Sequence, residues 1–386
     1  MDVIRSIARR PSRSLLTALG IAIGIMALVV VGALAEQIQN VVGGGIAYYG
    51  SRVTVRDAST GSDLFRLPQP ISLDRLQAIK GVSGVKAAYP QIVMLYADLS
   101  KKEGALGQSN VVIGREVQAE GDNPQPLRVQ SGRVLVQGET GATVLGEDLQ
   151  RQIGAKVGDS IIVNGSTFTV VGIHVKDFTI NDTAALVTFE DAQLLYHAAS
   201  GAPFQQVASQ ITVFPVANSD PSLLAKRISA AVPGVTAIDP AVLKQQIQES
   251  TRLFNTIIFG AALIALLVGS LSVVNTMVMA VLERTREIGI RKAIGASDSR
   301  ILFDFILEAA AIGLLGGLIG ILFGEILVLF INHATSANGS ALFQVTPRLL
   351  LGAYAFSVIL AVLAGSIPAI RASRLQPIDA LNASRS

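Results

Sequence analysis

The sequence contains neither cysteine nor tryptophan. Without thiols the chain can form neither disulfide bonds nor thiolate metal sites. Its histidines are His174, His197 and His333, and they lack the spacing of a metal-binding motif. We therefore expect no metal site.

Motifs for catalysis and nucleotide binding are also missing. No Gly-x-x-x-x-Gly-Lys-Ser/Thr phosphate loop occurs, so we expect the chain itself to bind no ATP, Mg²⁺ or other cofactor. Carboxylates are scattered, and no Ser/His/Asp or paired-acid pattern stands out, so a catalytic role is disfavoured. Charged residues make up only 15% of the chain and the net charge is +3, which argues against nucleic-acid binding.

Apolar residues dominate instead, at 50% of the sequence, with a mean hydropathy of +0.52. Four apolar runs are about as long as the roughly 20 residues that a membrane-spanning helix needs. The first run could belong to a cleaved signal peptide, but it exceeds the 7–15 residues of a typical signal core, which favours a retained span. We predict an α-helical membrane protein with four transmembrane helices. The runs lie at residues 15–35, 254–282, 301–331 and 349–370.

Basic residues mark the ends of these runs that face the cytoplasm. The N-terminal amphipathic segment and the segment between the second and third runs are both rich in arginine, whereas residues 332–347 contain no Lys or Arg. By the positive-inside rule, both termini lie in the cytoplasm and the long segment after the first run lies outside. Whether the cell has one membrane or two is left open.

The soluble segment, residues 46–238, shows two similar β-α-β patterns at its ends. Such paired units predict a split, ferredoxin-like α/β layer, and the short alternating strands of residues 100–205 predict a mostly β insertion. The flanking apolar helices extend beyond the membrane as a stalk. The predicted order is a cytoplasmic amphipathic segment (1–14), a first transmembrane helix with stalk extension (15–45), the extracytoplasmic domain (46–238), stalk and second helix (239–282), a cytoplasmic segment (283–300), a third helix (301–331), an external loop (332–347), a fourth helix (348–371) and a cytoplasmic tail (372–386).

Glycines at helical spacing predict close contacts between spans, because a glycine face lets another helix approach. The predicted packing residues are Gly20 and Gly24 in the first span and Gly316, Gly320 and Gly324 in the third.

The segment between the second and third spans reads Glu283-Arg-Thr-Arg-Glu-Ile-Gly-Ile-Arg-Lys-Ala-Ile-Gly-Ala-Ser-Asp298. Its isoleucines form an apolar edge, which predicts a short amphipathic helix. The alternative is a loop that only carries the positive-inside charge.

This string resembles the cytoplasmic loop of the permease family that includes MacB, the lipoprotein-releasing Lol permeases and FtsX. Residues 144–173 resemble the periplasmic core domain of MacB-type permeases, and residues 366–381 resemble the family's C-terminal signature. The resemblance implies a type VII ABC permease without a fused ATPase, whose outer domain is a porter-like α/β subdomain interrupted by a β-rich one. It also implies that residues 283–298 form the coupling helix, which docks on an ABC ATPase. The implied docking residues are Glu283, Arg284, Arg286, Glu287, Ile288, Ile290, Arg291, Lys292 and Ile294.

The implied mechanism is mechanotransmission, in which two copies of a separate ATPase subunit bind ATP and Mg²⁺ and drive movements of the outer domain. A second permease copy is expected as partner, most simply as a homodimer, with a heterodimer left open. A periplasmic adaptor or outer-membrane duct would be further partners. We expect export of peptides, antibiotics, lipoproteins or other amphiphiles. The alternative is an FtsX-like signalling complex that controls a cell-wall hydrolase or a sensor without transport.

Overall fold

The computed structural model describes residues 11–61, 68–97, 109–117, 126–201, 207–335 and 341–376. Most of the predicted N-terminal amphipathic segment and of the cytoplasmic tail lies outside these ranges, as do parts of the predicted β insertion. Contacts divide the chain into two units. The first comprises Met1–Gln37, Leu253–Ile331 and Phe343–Ser386, and the second Ile38–Arg252 and Asn332–Leu342.

Four of the described helices are long and apolar enough to cross a membrane: α1, α6, α8 and α9. Local sequence sets where two of them begin. Asp239 accepts a hydrogen bond from the Ala241 N–H (2.9 Å) before α6, and Thr346 accepts one from the Leu349 N–H (3.2 Å) before α9. A proline follows each cap, at a position where its missing N–H costs no hydrogen bond. The helices are α1 (Pro11–Gly50), α2 (Asp74–Lys80), α3 (Glu147–Ile153), α4 (Phe189–Ser200), α5 (Pro221–Ala231), α6 (Pro240–Glu283), α7 (Thr285–Ala293), α8 (Asp298–Thr335) and α9 (Pro347–Ser373).

Within the first unit, a glycine face of α8 packs on α1. A Cβ atom built on Gly316 would lie 2.8 Å from the Ile21 Cβ, and one built on Gly320 would lie 2.7 Å from the Ala22 carbonyl oxygen. Gly324 is equally close to Val29, with 2.9 Å between the built Cβ and the Val29 Cβ. No side chain fits at these positions, so the two backbones are in direct contact.

Other glycines bring further helices together. A Cβ atom on Gly20 would lie 2.7 Å from the Ser272 Cβ of α6, and one on Gly313 would lie 2.7 Å from the Ala361 Cβ of α9. Gly24 is buried. The α1, α6, α8 and α9 helices thus share one buried apolar cluster, to which Ile25, Met277, Ala309 and Ala361 belong.

The second unit is built on a ten-stranded sheet with the order β12-β1-β11-β3-β4-β9-β6-β8-β5, with β7 paired to β8. A separate two-stranded sheet joins β10 and β2. The strands are β1 (Val53–Asp57), β2 (Ile71–Ser72), β3 (Val85–Leu95), β4 (Val111–Arg115), β5 (Val129–Gly132), β6 (Ala142–Leu145), β7 (Ser160–Val163), β8 (Ser166–His174), β9 (Ala184–Thr188), β10 (Val207–Ala208), β11 (Gln210–Pro215) and β12 (Val235–Ile238).

The first four strands of the sheet order come from the two ends of the domain. One β-α-β unit consists of β1, α2 and β3, and the other of β11, α5 and β12. Strand β1 lies between the antiparallel strands β11 and β12, with Thr54 opposite both Thr212 and Ile238. This interleaving is the pairing of a split β-α-β layer.

Strands from the predicted β insertion continue the same sheet. The long strand β3 pairs with β11 through its first part and with β4 through its last, where Leu95 lies opposite Val111. Strand β4 then pairs in parallel with β9, with Val111 opposite Ala184. The predicted insertion is therefore not a separate sheet. Local alternation identifies strands but carries no information on which strands pair.

A tight turn joins β7 to β8 as predicted. Asn164 and Gly165 both have positive φ, at 48° and 85°. Val163 pairs with Ser166 across the turn. Asparagine and glycine tolerate this conformation better than other residues, so the Asn-Gly pair sets the hairpin register.

Candidate functional site

The segment between α6 and α8 is a separate short helix, α7. The α6 helix ends at Glu283, and Arg284 leaves helical geometry before α7 begins. At the other end, Gly295 adopts a φ of 98°, and the Ala296 N–H bonds to the Arg291 carbonyl (3.0 Å). A left-handed residue at this position favours glycine, so Gly295 ends α7 and lets the chain turn into α8.

One face of α7 is buried in the helical unit. The Ile288 side chain is 4% exposed and belongs to the same apolar cluster as Ile301 and Phe305 of α8. The prediction that Ile288 fills a groove on the ATPase is therefore wrong, because its side chain is already inside the protein. The helical spacing of the isoleucines predicts an apolar face, but it does not reveal which isoleucine packs inside its own protein and which one faces a partner.

Two arginines of the segment form ion pairs with α8. Arg284 donates from Nη1 to Glu308 Oε2 (2.9 Å), and the Glu308 side chain is only 12% exposed. Arg291 donates to Glu287 Oε1 (2.6 Å) on its own helix and lies 3.4 Å from Asp304 Oδ2. The Arg284 pair lies within the protein, and the Arg291 pairs lie at its exposed edge.

Lys292 is held on three sides by its own chain. Its Nζ donates to the Ser373 carbonyl (2.6 Å) and to the Leu375 carbonyl (3.0 Å), and it lies 2.8 Å from Asp298 Oδ1. The side chain is 11% exposed. The prediction of Lys292 as a docking charge does not fit this position, because the ammonium group already contacts three oxygen acceptors of its own chain.

The other predicted docking residues lie on the outward face of α7 or next to its two ends, where they are exposed. Ile294 is 81% exposed and Ile290 45% exposed. Glu283, Arg286 and Glu287 are exposed beside them. Exposed apolar side chains ringed by charge match the composition of a protein interface with a dry centre and a polar rim.

A cavity next to α7 is too small for a nucleotide. It has a volume of about 50 Å³ and is lined by residues of α7 and α8 that include Ile288, Phe305 and Glu308. Pockets for small-molecule ligands usually measure several hundred cubic ångströms. This cavity is therefore too small for a small-molecule ligand of ordinary size.

One cluster of potential metal ligands in the outer domain is absent from the sequence-based prediction. His174, Asp177 and Asp182 bring a ligand atom each to within 4.8 Å of one another. They lie within nine positions that begin at the last residue of β8, a local spacing that could have drawn attention to them. Asp182 accepts the N–H groups of Asp177 (3.1 Å) and Phe178 (2.7 Å), so its carboxylate already stabilises the turn. Burial raises the pKa of Asp182 to about 7.

Comparison with known families divides the chain into two matches. The MacB-like periplasmic core domain matches residues 14–231, and the FtsX-like permease C-terminal domain matches residues 259–377. The second match includes α7, the end of α9 and all of the residues predicted to dock.

Two curated relatives align with nearly the whole chain. The uncharacterized ABC transporter permease YknZ of Bacillus subtilis is 24% identical, with 98% of this chain and 97% of that protein covered. The macrolide export ATP-binding/permease protein MacB of Neisseria gonorrhoeae is 26% identical over 98% of this chain but only 60% of its own length. The solved periplasmic region of MacB from Actinobacillus actinomycetemcomitans is 15% identical, with a TM-score of 0.35, and covers 51% of this chain and 92% of that one.

The four apolar helices and the core-domain match indicate an inner-membrane protein with a large extracytoplasmic domain. The core-domain match spans more than half of the chain, and the permease match covers most of the remainder. The chain therefore belongs to the MacB-like and FtsX-like family of ABC transporter permeases.

Proposed function

We propose that this permease couples ATP hydrolysis by a partner ATPase to movements of its extracytoplasmic domain, and that α7 is the docking helix. The observation that carries the proposal is the two-faced burial of α7. Ile288 is 4% exposed on the inner face, whereas Ile290 is 45% exposed on the outer one and Ile294, the residue that caps the end of α7, is 81% exposed. A helix fixed to its own protein on one side and apolar on the other can pass on the motion of a bound partner.

The docking surface consists of the exposed residues only. Ile290 and Ile294 form its apolar centre, and Glu283, Arg286, Glu287 and Arg291 form its charged rim. Interfaces gain most of their stability from a few desolvated central side chains, while rim charges mainly set orientation and association rate. Ile290 and Ile294 therefore supply the affinity for the ATPase.

ATP and Mg²⁺ bind to the partner, because the sequence contains no phosphate loop. Two permease copies and two ATPase subunits form the working assembly. Both termini and α7 lie on the cytoplasmic side, in keeping with the basic residues that flank the spans. The four apolar helices cross the inner membrane.

The transported substrate is an amphiphile on the outer side of the membrane, such as a peptide, an antibiotic or a lipoprotein. The name of the MacB relative, a macrolide export protein, supports this class. A periplasmic adaptor or an outer-membrane duct would extend the export path in a cell with two membranes.

The experiment expresses the permease together with the ATPase encoded beside it, purifies on a permease tag and measures ATP hydrolysis. The test variant is Arg286→Glu with Ile290→Asp. The control is Ile162→Asp, which changes an isoleucine that is 60% exposed on a strand of the outer domain. We expect the test variant to lose the ATPase and the control to keep it. Unchanged ATPase co-purification with the test variant would refute the docking assignment.

A further inference from the structure

We infer that Lys292 is a positioning residue that ties the docking helix α7 to the C-terminal end of α9, so that a displacement of α7 moves α8 and α9 together. The inference rests on the proposed function, since it describes how motion received by α7 reaches the membrane helices.

The Lys292 ammonium has as many N–H donors as it has oxygen neighbours. Its Nζ lies 2.6 Å from the Ser373 carbonyl oxygen, 3.0 Å from that of Leu375 and 2.8 Å from Asp298 Oδ1. An ammonium group carries three donors, so each donor has one acceptor. These acceptors belong to three places in the chain: the last residue of α9, the residues after α9, and the first turn of α8.

The location explains why a cation is needed there. The last carbonyl groups of a helix have no partner within the helix, and the helix dipole makes this end negative. Ser373 is the last residue of α9 and Leu375 lies two residues beyond it. Lys292 supplies donors and positive charge to these carbonyl groups, with a side chain that is 11% exposed.

Lysine suits this position better than arginine. The acceptors converge on one atom, and a compact ammonium can donate to three oxygens at once. The guanidinium of arginine is a planar fork that favours two parallel bonds to one acceptor group. At the opposite end of α7, Arg284 bonds to Glu308 of α8 (2.9 Å). The helix is thus fixed at both ends, to α8 at one and to α8 and α9 at the other.

The absence of cysteine makes a labelling test straightforward. Spin labels are attached to Ala293→Cys on α7 and to Arg374→Cys just after α9, two exposed positions outside the docking surface. The distance between them is measured by electron paramagnetic resonance in the purified permease, with Lys292 and with Lys292→Met. We expect a narrow distribution with Lys292 and a broad one with Lys292→Met. A narrow distribution in both would overturn the inference.

Function is measured on the complex with the ATPase and without labels. We expect Lys292→Met to retain the ATPase but to lower permease-dependent ATP hydrolysis about tenfold, which corresponds to about 1.4 kcal/mol. Loss of the ATPase together with a narrow distance distribution would identify Lys292 as a docking charge and overturn the inference. If Lys292→Met prevents assembly, Lys292→Gln keeps a polar side chain without the positive charge, and a narrow distribution in that variant overturns the inference as well.

Chemical rescue separates the ammonium group from general packing. The single-cysteine variant Lys292→Cys is treated with 2-bromoethylamine, which restores an ammonium group at nearly the length of lysine, or with iodoacetamide, which adds a neutral amide. We expect hydrolysis to return only with the amine, and equal recovery with both reagents contradicts the inference. If the unaltered chain binds no ATPase, the proposed function fails, whereas the spin-label distances still decide whether Lys292 anchors α7.

Discussion

Arg284 and Glu308 form an ion pair across 2.9 Å, between the residue that separates α6 from α7 and the first third of α8. The Glu308 side chain is 12% exposed and that of Arg284 33% exposed. Arg284 was predicted from the sequence as a docking charge, but its guanidinium is engaged within the permease.

We predict that Arg284→Met destabilises the permease by about 1–3 kcal/mol, because it removes the hydrogen bond and the positive charge that Arg284 supplies to a buried carboxylate. The double variant Arg284→Met, Glu308→Leu should recover much of the loss, since apolar pairs often replace buried ion pairs well. Thermal unfolding in detergent, followed by circular dichroism, measures both. A single variant as stable as the unaltered protein would show that the pair contributes nothing.

The two faces of α7 should respond differently to the same substitution. Ile288→Ala is expected to cost about 2–5 kcal/mol of stability, because it opens a cavity in the apolar cluster. Ile294→Ala should leave stability within about 0.5 kcal/mol, since the side chain is 81% exposed. It should nevertheless weaken ATPase binding. Unfolding midpoints and ATPase co-purification distinguish the two, and a reversed pattern contradicts the assignment of the faces.

The surroundings of two glycines in the helical unit predict that glycine-to-alanine substitution changes stability in opposite directions at the two positions. Gly320→Ala places a methyl group 2.7 Å from the Ala22 carbonyl oxygen, a backbone atom that cannot move aside cheaply. Gly352→Ala in α9 meets no atom within 4 Å and removes a helix-disfavouring glycine. We expect a lower unfolding midpoint for the first and an equal or higher one for the second. Equal midpoints for both variants would mean that the α1–α8 contact is loose.

The raised pKa of Asp182 predicts that the stability of the turn after β8 depends on pH. Its pKa is raised by burial to about 7, above the ordinary 3.8, so the folded state binds more protons than the unfolded state between these values. Stability from this group is therefore present at low pH and is lost as the pH rises from about 4 to 7. We expect peptides covering residues 177–183 to be better protected from hydrogen exchange at pH 5.5 than at pH 7.5, after correction for intrinsic rates.

The control for this prediction is Asp182→Asn, which does not titrate. Burial lowers the pKa of the neighbouring His174 from its ordinary 6.5. The stability that His174 contributes is therefore lost as the pH falls below 6.5, which is opposite to the pH dependence expected from Asp182. The variant retains His174, so the difference between the two proteins isolates Asp182. A difference that does not vary with pH would show that Asp182 keeps its ordinary pKa.

Much of the helical part could be predicted from the sequence, because long apolar runs and charged flanks act over short distances in the chain. Asp239-Pro240 marks the start of α6 through local hydrogen bonding, and the segment around Ile288 reads as an amphipathic helix. What the sequence could not supply was the partner of each side chain. Lys292 reads as a surface charge until the carbonyl groups of Ser373 and Leu375 are placed beside it.

In the outer domain, too, local features could be predicted from the sequence whereas contacts between distant segments could not. The Asn164-Gly165 turn and the two β-α-β units follow from local patterns. The parallel pairing of β4 with β9 does not, since Val111 and Ala184 are far apart in sequence and no local signal links them. Strand pairing between distant segments is fixed by packing of the complete sheet.

The position of β1 between β11 and β12 bears on how the protein is made. Thr54 pairs with Thr212 and Ile238, so the first strand has no neighbour until β11 has been synthesised, and it lacks its second neighbour until the chain reaches β12, just before α6. At roughly 5–20 residues per second, β1 waits about 10–40 seconds for its partners. During biosynthesis a strand with open hydrogen-bonding edges is exposed outside the membrane, where aggregation competes with folding. The supply of chaperones that shield this strand would therefore limit the yield of the permease.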